Sequence, residues 1–244
     1  MGRREELEQG LAAVRARVER ACQAAGRQPE ELTLVAITKF FPASDVVELV
    51  GLGVHHVGEN RDQEAGPKVV ELPVEVREAL TVHFVGQLQT NKAGHVARYA
   101  DVVQSVDRAR LVRALDRAGG TALDEGARHT PLAVTLQVDL DEGADRGRGG
   151  ALPEDLPALA EQVAQAEHLE LRGLMAVAPN GLDEAGTRRA FERLADLAGA
   201  LRQDHPGATW VSAGMSGDLE LAVAAGATHL RVGTAILGSR PSPR

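Results

Sequence analysis

The sequence is poor in the residues on which several common classes of protein depend. It has one cysteine, Cys22, in 244 residues, which excludes an internal disulfide framework and any zinc site built from several cysteines. Its six aromatic residues are too few for the stacking surfaces of single-stranded nucleic-acid binders. A net charge of −8 argues against a surface that neutralises duplex phosphates. We therefore expect no nucleic-acid partner.

Long apolar segments are missing as well. No apolar run reaches the roughly 18 residues that a membrane span needs, and the N-terminus MGRREELEQG is charged where a secretory signal would be apolar. The hydrophobic fraction of 43% and charged fraction of 25% are those of an ordinary globular protein with a sizeable core. We expect a cytoplasmic protein with no membrane partner, and the composition is compatible with a monomer.

Short strands alternate with helices along the chain. Apolar residues recur every three or four positions over residues 3–25, which predicts an amphipathic N-terminal helix ended by Gly26. The β-branched run LTLVAITK at 32–39 is typical of a buried parallel strand. Seven more strands are predicted at 54–58, 82–86, 102–106, 132–138, 171–176, 209–212 and 229–232. The clearest helices between them are predicted at 44–52, 108–118, 156–167, 183–202 and 217–225.

This alternation predicts the fold class. Eight strands and their helices in about 250 residues favour an α/β fold, a single (β/α)8 TIM barrel spanning 1–244 as one domain. Little sequence follows the eighth strand, so we expect the extra N-terminal helix to cover that strand. The glycine-rich stretch at 141–150 falls on the strand-to-helix side, where such barrels carry their functional loops.

Lys39 ends the first predicted strand and is therefore expected at the mouth of the barrel, where catalytic groups emerge. An amine at that edge is placed to form a Schiff base with a carbonyl ligand. On position alone, a lysine that extends its ammonium group from the strand end into water is the simpler interpretation.

Two turns near the C-terminus favour the functional interpretation. The turn SAGMS at 212–216 follows the seventh strand, and Gly233-Thr234 follows the eighth. Loops after these two strands commonly bind phosphate in such barrels, since glycine lets an anion approach the backbone and hydroxyl groups add donors. Either turn alone would be consistent with a flexible loop or a helix cap. Together with Lys39 they suggest a ligand with a phosphate and an aldehyde, which fits both pyridoxal phosphate (PLP) and the sugar-phosphate substrate of a Schiff-base aldolase.

Several motifs carry a resemblance to a known family. They are Lys39 with Pro42-Ala43, Gly58-Glu59-Asn60, His83-Phe84-Val85-Gly86 with Leu88-Gln89 and Asn91-Lys92, Arg172-Gly173-Leu174-Met175, Ser212-Ala213-Gly214-Met215-Ser216, and Arg231-Val232-Gly233-Thr234-Ala235-Ile236. From about residue 32 to 238 the chain resembles the pyridoxal phosphate homeostasis protein family, single-domain relatives of the alanine racemase barrel. It departs from many relatives at Phe40-Phe41 and in the region 146–150.

The resemblance implies a PLP site. Lys39 would form a Schiff base with the cofactor, the two turns would hold its phosphate, and Arg231 would face the pyridine nitrogen. Asn60 and Met175 would line the same mouth. The implied cofactor-binding residues are thus Lys39, Asn60, Met175, Ser212, Gly214, Met215, Ser216, Arg231, Gly233 and Thr234.

The resemblance also implies binding without turnover. A charged arginine beside the pyridine nitrogen makes the ring a weaker electron sink. Racemases take a second acid/base tyrosine from an additional domain, whereas the one tyrosine here, Tyr99, is predicted near the start of strand four. We expect no catalytic residues, no metal, and a role in intracellular PLP homeostasis, with small amines or amino acids and PLP-requiring apoenzymes as partners. The alternative is a racemase-like PLP enzyme.

Overall fold

Eight parallel strands close into a barrel in chain order. The computed structural model describes residues 2–141 and 149–239. The strands are β1 (Thr33–Ile37), β2 (His56–Glu59), β3 (Thr81–Phe84), β4 (Val102–Val106), β5 (Leu132–Gln137), β6 (Leu169–Met175), β7 (Trp210–Ser212) and β8 (His229–Val232). β1 pairs with both β2 and β8, which closes the ring. The predicted TIM barrel is confirmed.

Helices separate the strands and surround the barrel. They are α1 (Arg3–Ala25), α2 (Ala43–Gly51), α3 (Asp62–Val70), α4 (Val74–Glu78), α5 (Ala93–Tyr99), α6 (Ala109–Asp124), α7 (Leu156–Ala164), α8 (Glu184–Asp204), α9 (Leu219–Ala224) and α10 (Thr234–Leu237). The sequence pattern did not predict α3 or α4. Pro67 lies inside α3 and Pro73 precedes α4, and prolines ordinarily mark the end of a helix. Among the described residues, no helix has the length and apolar character needed to cross a membrane.

The N-terminal helix supports the last part of the barrel. α1 packs against α9 and α10, and its buried side chains include Leu7, Leu11 and Val14. Gly10 lies at a close approach between α1 and α10, because a Cβ there would be 2.5 Å from the carbonyl oxygen of Ile236. α10 has only 4 residues, so α1 supplies the outer layer beside the last strand, as expected.

Polar side chains meet inside the barrel. Gln104 of β4 and Ser212 of β7 are hydrogen-bonded through their side chains at 2.7 Å, although β4 and β7 are not neighbours. Their contact therefore crosses the barrel interior. Such interiors are usually filled by branched aliphatic residues, so this polar contact is a departure from the usual packing.

Candidate ligand site at the barrel mouth

Lys39 follows β1 in a tight turn at the carboxyl end of the strand. The N–H of Phe41 donates to the carbonyl oxygen of Thr38 at 3.0 Å, and Phe40 has a left-handed φ of 71°. That conformation costs a non-glycine residue roughly 1 kcal/mol or more. The Lys39 ammonium is half-buried and its Nζ lies 5.9 Å from the centre of the Phe40 ring. The turn therefore fixes the backbone on either side of the amine.

A buried ion pair lies behind this turn. Lys68 of α3 donates to Glu59 Oε1 at 2.7 Å and to the carbonyl oxygen of Thr38 at 2.9 Å. The Thr38 hydroxyl donates to the same Glu59 oxygen at 2.7 Å. The Lys68 and Glu59 side chains are only 8% and 2% exposed, so water screens their interaction weakly. The cluster ties the residue before Lys39 to both β2 and α3.

The turn after β7 depends on a glycine. Gly214 has φ +89°, and a Cβ there would lie 2.6 Å from the Cβ of Ala222. Its carbonyl oxygen accepts a hydrogen bond from the Arg231 N–H at 2.9 Å, while the Met215 N–H donates to Asp218 Oδ1 at 2.5 Å. These bonds hold the 212–216 turn against β8 and against the start of α9.

The two turns meet. The Thr234 hydroxyl donates to Ser216 Oγ at 3.3 Å, and Gly233 immediately precedes α10. Among the hydrogen bonds of the described residues, none uses the backbone N–H of Ser216, Gly217, Thr234 or Ala235. Unused N–H groups next to hydroxyl groups are the donors that a phosphate requires.

Arg17 connects α1 to the first of these turns. It donates to the Ser216 carbonyl oxygen at 3.0 Å and to both carboxylate oxygens of Glu220 at 2.8 and 2.9 Å. The hydrogen bond from Arg17 lowers the pKa of Glu220, so this carboxylate stays charged at neutral pH. The N-terminal helix therefore contributes directly to the conformation of the 212–216 turn.

Arg231 is a buried cation whose charge is opposed only at a distance, by Asp218. It is 4% exposed, and it donates to Ser212 Oγ at 2.7 Å and to the Ala176 carbonyl oxygen at 2.8 Å. No ion pair among the described residues includes it. Burial lowers its pKa to about 10, which leaves the guanidinium charged at neutral pH. A buried cation that is not paired directly with a carboxylate favours an anionic ligand.

Asn60 and Met175 lie at the carboxyl ends of their strands. Asn60 follows β2, and Gly86 packs so closely on it that a Cβ there would be 2.1 Å from the Asn60 carbonyl oxygen. Met175 ends β6, is 1% exposed and is paired in register with Ser212. The ten residues singled out in the sequence thus all lie at or just after the carboxyl ends of strands β1, β2, β6, β7 and β8.

Comparisons with known proteins agree with this architecture. A family model described as alanine racemase, N-terminal domain, matches residues 10–241. Over 98% of its length the chain is 46% identical to the pyridoxal phosphate homeostasis protein of Mycobacterium tuberculosis, of which it covers 94%. The chain belongs to the pyridoxal phosphate homeostasis protein family.

Two solved structures are similar to this family member. One is an unknown protein from Bifidobacterium adolescentis, 30% identical, with a TM-score of 0.87 and coverage of 96% of this chain and 95% of that one. The other is PipY of Synechococcus elongatus with PLP bound, 35% identical, with a TM-score of 0.78 and coverage of 95% and 100%.

Sequence reasoning missed three residues that support the mouth: Arg17, Lys68 and Gln104. Arg17 and Ser216 are 199 positions apart, and Gln104 and Ser212 are 108 apart. Periodicity within a helix or strand says nothing about such pairs. Lys68 has a weak local signal, since it lies 9 positions after Glu59 on the next helix.

Tyr99 lies on an outer helix. It ends α5, is 6% exposed, and its hydroxyl donates to Asp62 Oδ1 of α3 at 3.4 Å. Burial, with Asp62 nearby, raises the pKa of Tyr99, which makes its hydroxyl a poor proton donor. The hydroxyl of the one tyrosine is therefore buried and committed to a contact between two outer helices. The predicted Arg146-Gly147-Arg148 loop lies outside the described residues.

Proposed function

We propose that this protein binds PLP through a Schiff base with Lys39 and acts in intracellular PLP homeostasis by buffering and delivering the cofactor. Two findings support the proposal. Relatives with 36–46% identity are named pyridoxal phosphate homeostasis protein. PipY, at 35% identity over 95% of this chain, was solved with PLP bound.

The residues at the mouth suit such a ligand. The unused N–H groups of Ser216, Gly217, Thr234 and Ala235 would hold the phosphate. Arg231 would face the pyridine nitrogen, and its charge disfavours protonation of that nitrogen. When bound, PLP supplies an aldehyde that reacts reversibly with amines, and Lys39 is an amine at this mouth that is not held in an ion pair of the described residues. Asn60 and Met175 would contact the ring.

The same residues favour holding the cofactor over using it. Arg231 has only hydrogen-bond donors and so cannot stabilise a protonated ring nitrogen, which PLP enzymes use to withdraw electrons. Tyr99 is buried between α3 and α5 and cannot serve as a second acid/base opposite Lys39. We propose that small amines and amino acids reach the ligand, that PLP-requiring apoenzymes receive it, and that this takes place in the cytoplasm.

The observation that carries the proposal is the juxtaposition of buried Arg231, which is in no ion pair of the described residues, with two turns in which the N–H groups of Ser216, Gly217, Thr234 and Ala235 are unused. The test is an absorbance spectrum of the purified protein with PLP, before and after borohydride. We expect an absorption band at the violet edge of the visible range that borohydride removes, with the reduced adduct located on Lys39 by mass spectrometry. No band, with trapping only when a sugar phosphate is added, would favour the aldolase. Accumulation of D-amino acids from L-amino acids at enzyme-like rates would favour the racemase.

The hydrogen bonds of Arg17 to Ser216 and Glu220 predict a moderate effect on PLP affinity. Arg17→Ala removes the donor to the Ser216 carbonyl oxygen and frees Glu220, so we expect PLP affinity to fall about fivefold in equilibrium dialysis. Arg20→Ala is the matched control, because Arg20 is an exposed arginine on the same helix that donates to neither group. Equal losses in the two variants would show that only the overall charge of α1 matters.

A further inference from the structure

Five polar side chains form a continuous hydrogen-bonded chain through the barrel interior. Arg231 Nη1 donates to Ser212 Oγ at 2.7 Å, and the Ser212 hydroxyl donates to Gln104 Oε1 at 2.7 Å. Gln104 Nε2 lies 2.9 Å from His83 Nδ1, and His83 Nε2 lies 3.0 Å from His56 Nδ1. The chain joins the mouth of the barrel to its opposite end. There His56 borders a cavity of about 420 Å³.

These groups are too deeply buried to be incidental. Ser212, Gln104 and His83 are fully buried, and Arg231 is 4% exposed. A buried polar group costs free energy unless its hydrogen bonds are made, and a partly satisfied network is worse than an apolar core. Aliphatic side chains would fill the same space at lower cost. The chain therefore has a role beyond packing.

Arg231 sets the direction of every hydrogen bond in the chain. A guanidinium has no acceptor, so Ser212 Oγ must accept from it and use its own proton toward Gln104. The Gln104 amide then presents its oxygen to Ser212 and its N–H to His83 Nδ1. His83 must carry its proton on Nε2 and donate it to His56 Nδ1. Rotating the Gln104 amide would leave the Ser212 proton buried without an acceptor.

The surroundings keep His83 neutral, and the inferred direction of the hydrogen bonds requires a neutral His83. Burial lowers the pKa of His83 well below its usual value, and the other groups facing it, His56, His229 and Arg231, act in the same direction. His229 is itself held neutral, since burial lowers its pKa to about 3. A second proton on His83 would abolish the acceptor that Gln104 needs.

We propose that Gln104 and His83 are positioning residues for Arg231, which hold its guanidinium in one orientation toward the ring nitrogen of PLP through the Ser212 hydroxyl. This inference rests on the proposed function. It assigns a task to two buried residues that lie below the mouth. His83 acts through Gln104, and Gln104 acts through Ser212.

The first test uses the ligand-free protein and ¹⁵N NMR of labelled histidine. We expect wild-type His83 to carry its proton on Nε2. In Gln104→Glu both side-chain oxygens accept, so His83 must donate from Nδ1, and its ¹⁵N shifts should report the opposite tautomer or the doubly protonated ring. Two results would contradict the inferred direction of these hydrogen bonds: a proton on Nδ1 of His83 in the wild type, or the same His83 tautomer in Gln104→Glu as in the wild type.

The second test uses PLP labelled with ¹⁵N in its ring. We expect Gln104→Met to bind PLP roughly tenfold more weakly, because the Ser212 hydroxyl loses its acceptor and releases the guanidinium. Gln104→Glu adds a negative charge two hydrogen bonds from Arg231, so the ring-nitrogen signal should move toward its protonated value. Gln104→Glu also serves as the readout if Gln104→Met does not fold.

Thr135→Val is the control for lost buried polarity alone. The fully buried Thr135 hydroxyl donates to the Gln104 backbone carbonyl at 3.0 Å and is not part of the chain. This variant should lose stability but keep PLP affinity and the ring signal. Wild-type affinity and ring signal in both Gln104 variants would overturn the positioning role. If the wild-type protein binds no PLP, the proposed function is wrong. That result comes from the wild type alone and does not depend on the Gln104 variants.

Discussion

Replacing Lys39 with alanine is expected to abolish the violet absorption band and to leave no adduct after borohydride. Lys39 lies at the carboxyl end of β1 in a turn that is held by Thr38 and Phe41. The other buried lysine beside it, Lys68, is committed to Glu59 and to a backbone carbonyl. A second amine therefore cannot take over the role without breaking the ion pair. The spectrum and the mass of the reduced protein measure the effect.

Lys39→Arg is the matched variant. It keeps the positive charge near the Phe40 ring but has no amine that condenses with an aldehyde. We expect it to bind PLP reversibly through the two turns and Arg231, more weakly than the wild type and without the band. A band that persists in either variant would move the covalent attachment to another lysine and contradict the assignment of Lys39.

Lys68→Met is expected to destabilise the fold by about 3–5 kcal/mol, the usual effect of removing one partner of a buried ion pair. The change leaves the Glu59 carboxylate buried with the Thr38 hydroxyl as its one remaining donor, and Glu59 Oε2 already has no partner among the described residues. The free energy of unfolding from urea titration measures the loss. Because Lys68 also donates to the Thr38 carbonyl oxygen, PLP attachment at Lys39 should weaken as well.

The double variant Glu59→Met with Lys68→Met separates the charge from the packing. If the cost of Lys68→Met comes from an unpaired charge, then removing Glu59 as well should restore most of the stability, since two apolar side chains of similar length fill the space. Additive losses in the double variant would show that the pair contributes packing alone.

Much of the architecture was predictable because it is local in the sequence. The strand run at 32–39 and the heptad-like spacing at 3–25 reflect burial of one segment at a time, and α1 was predicted with its observed limits. The loops after the last two strands were found because small and hydroxylated residues cluster there. Predicted strand ends differ from the observed ones by at most two residues, since hydrogen bonds to neighbouring strands decide the limits.

The supporting contacts were not predictable in this way. Gln104 is one polar residue in the strand VVQSV, and nothing in that strand indicates that its amide crosses the barrel to Ser212. Arg17 is one of several arginines on α1, and only the docking of α1 against α9 selects it. Barrel closure brings these groups together, so the sequence indicates candidate residues at the strand ends but not the residues that hold them in place.

The ion pair between Arg17 and Glu220 joins positions that are 203 residues apart. Lys39 leaves the ribosome early, whereas the turns after β7 and β8 are among the last segments to be synthesised. A nascent chain therefore contains Lys39 long before it contains the two turns after β7 and β8. Completing the candidate site requires α1 to dock on α9 and α10, and closure over such a long sequence separation is slow. We therefore expect PLP binding to indicate that the whole barrel has folded.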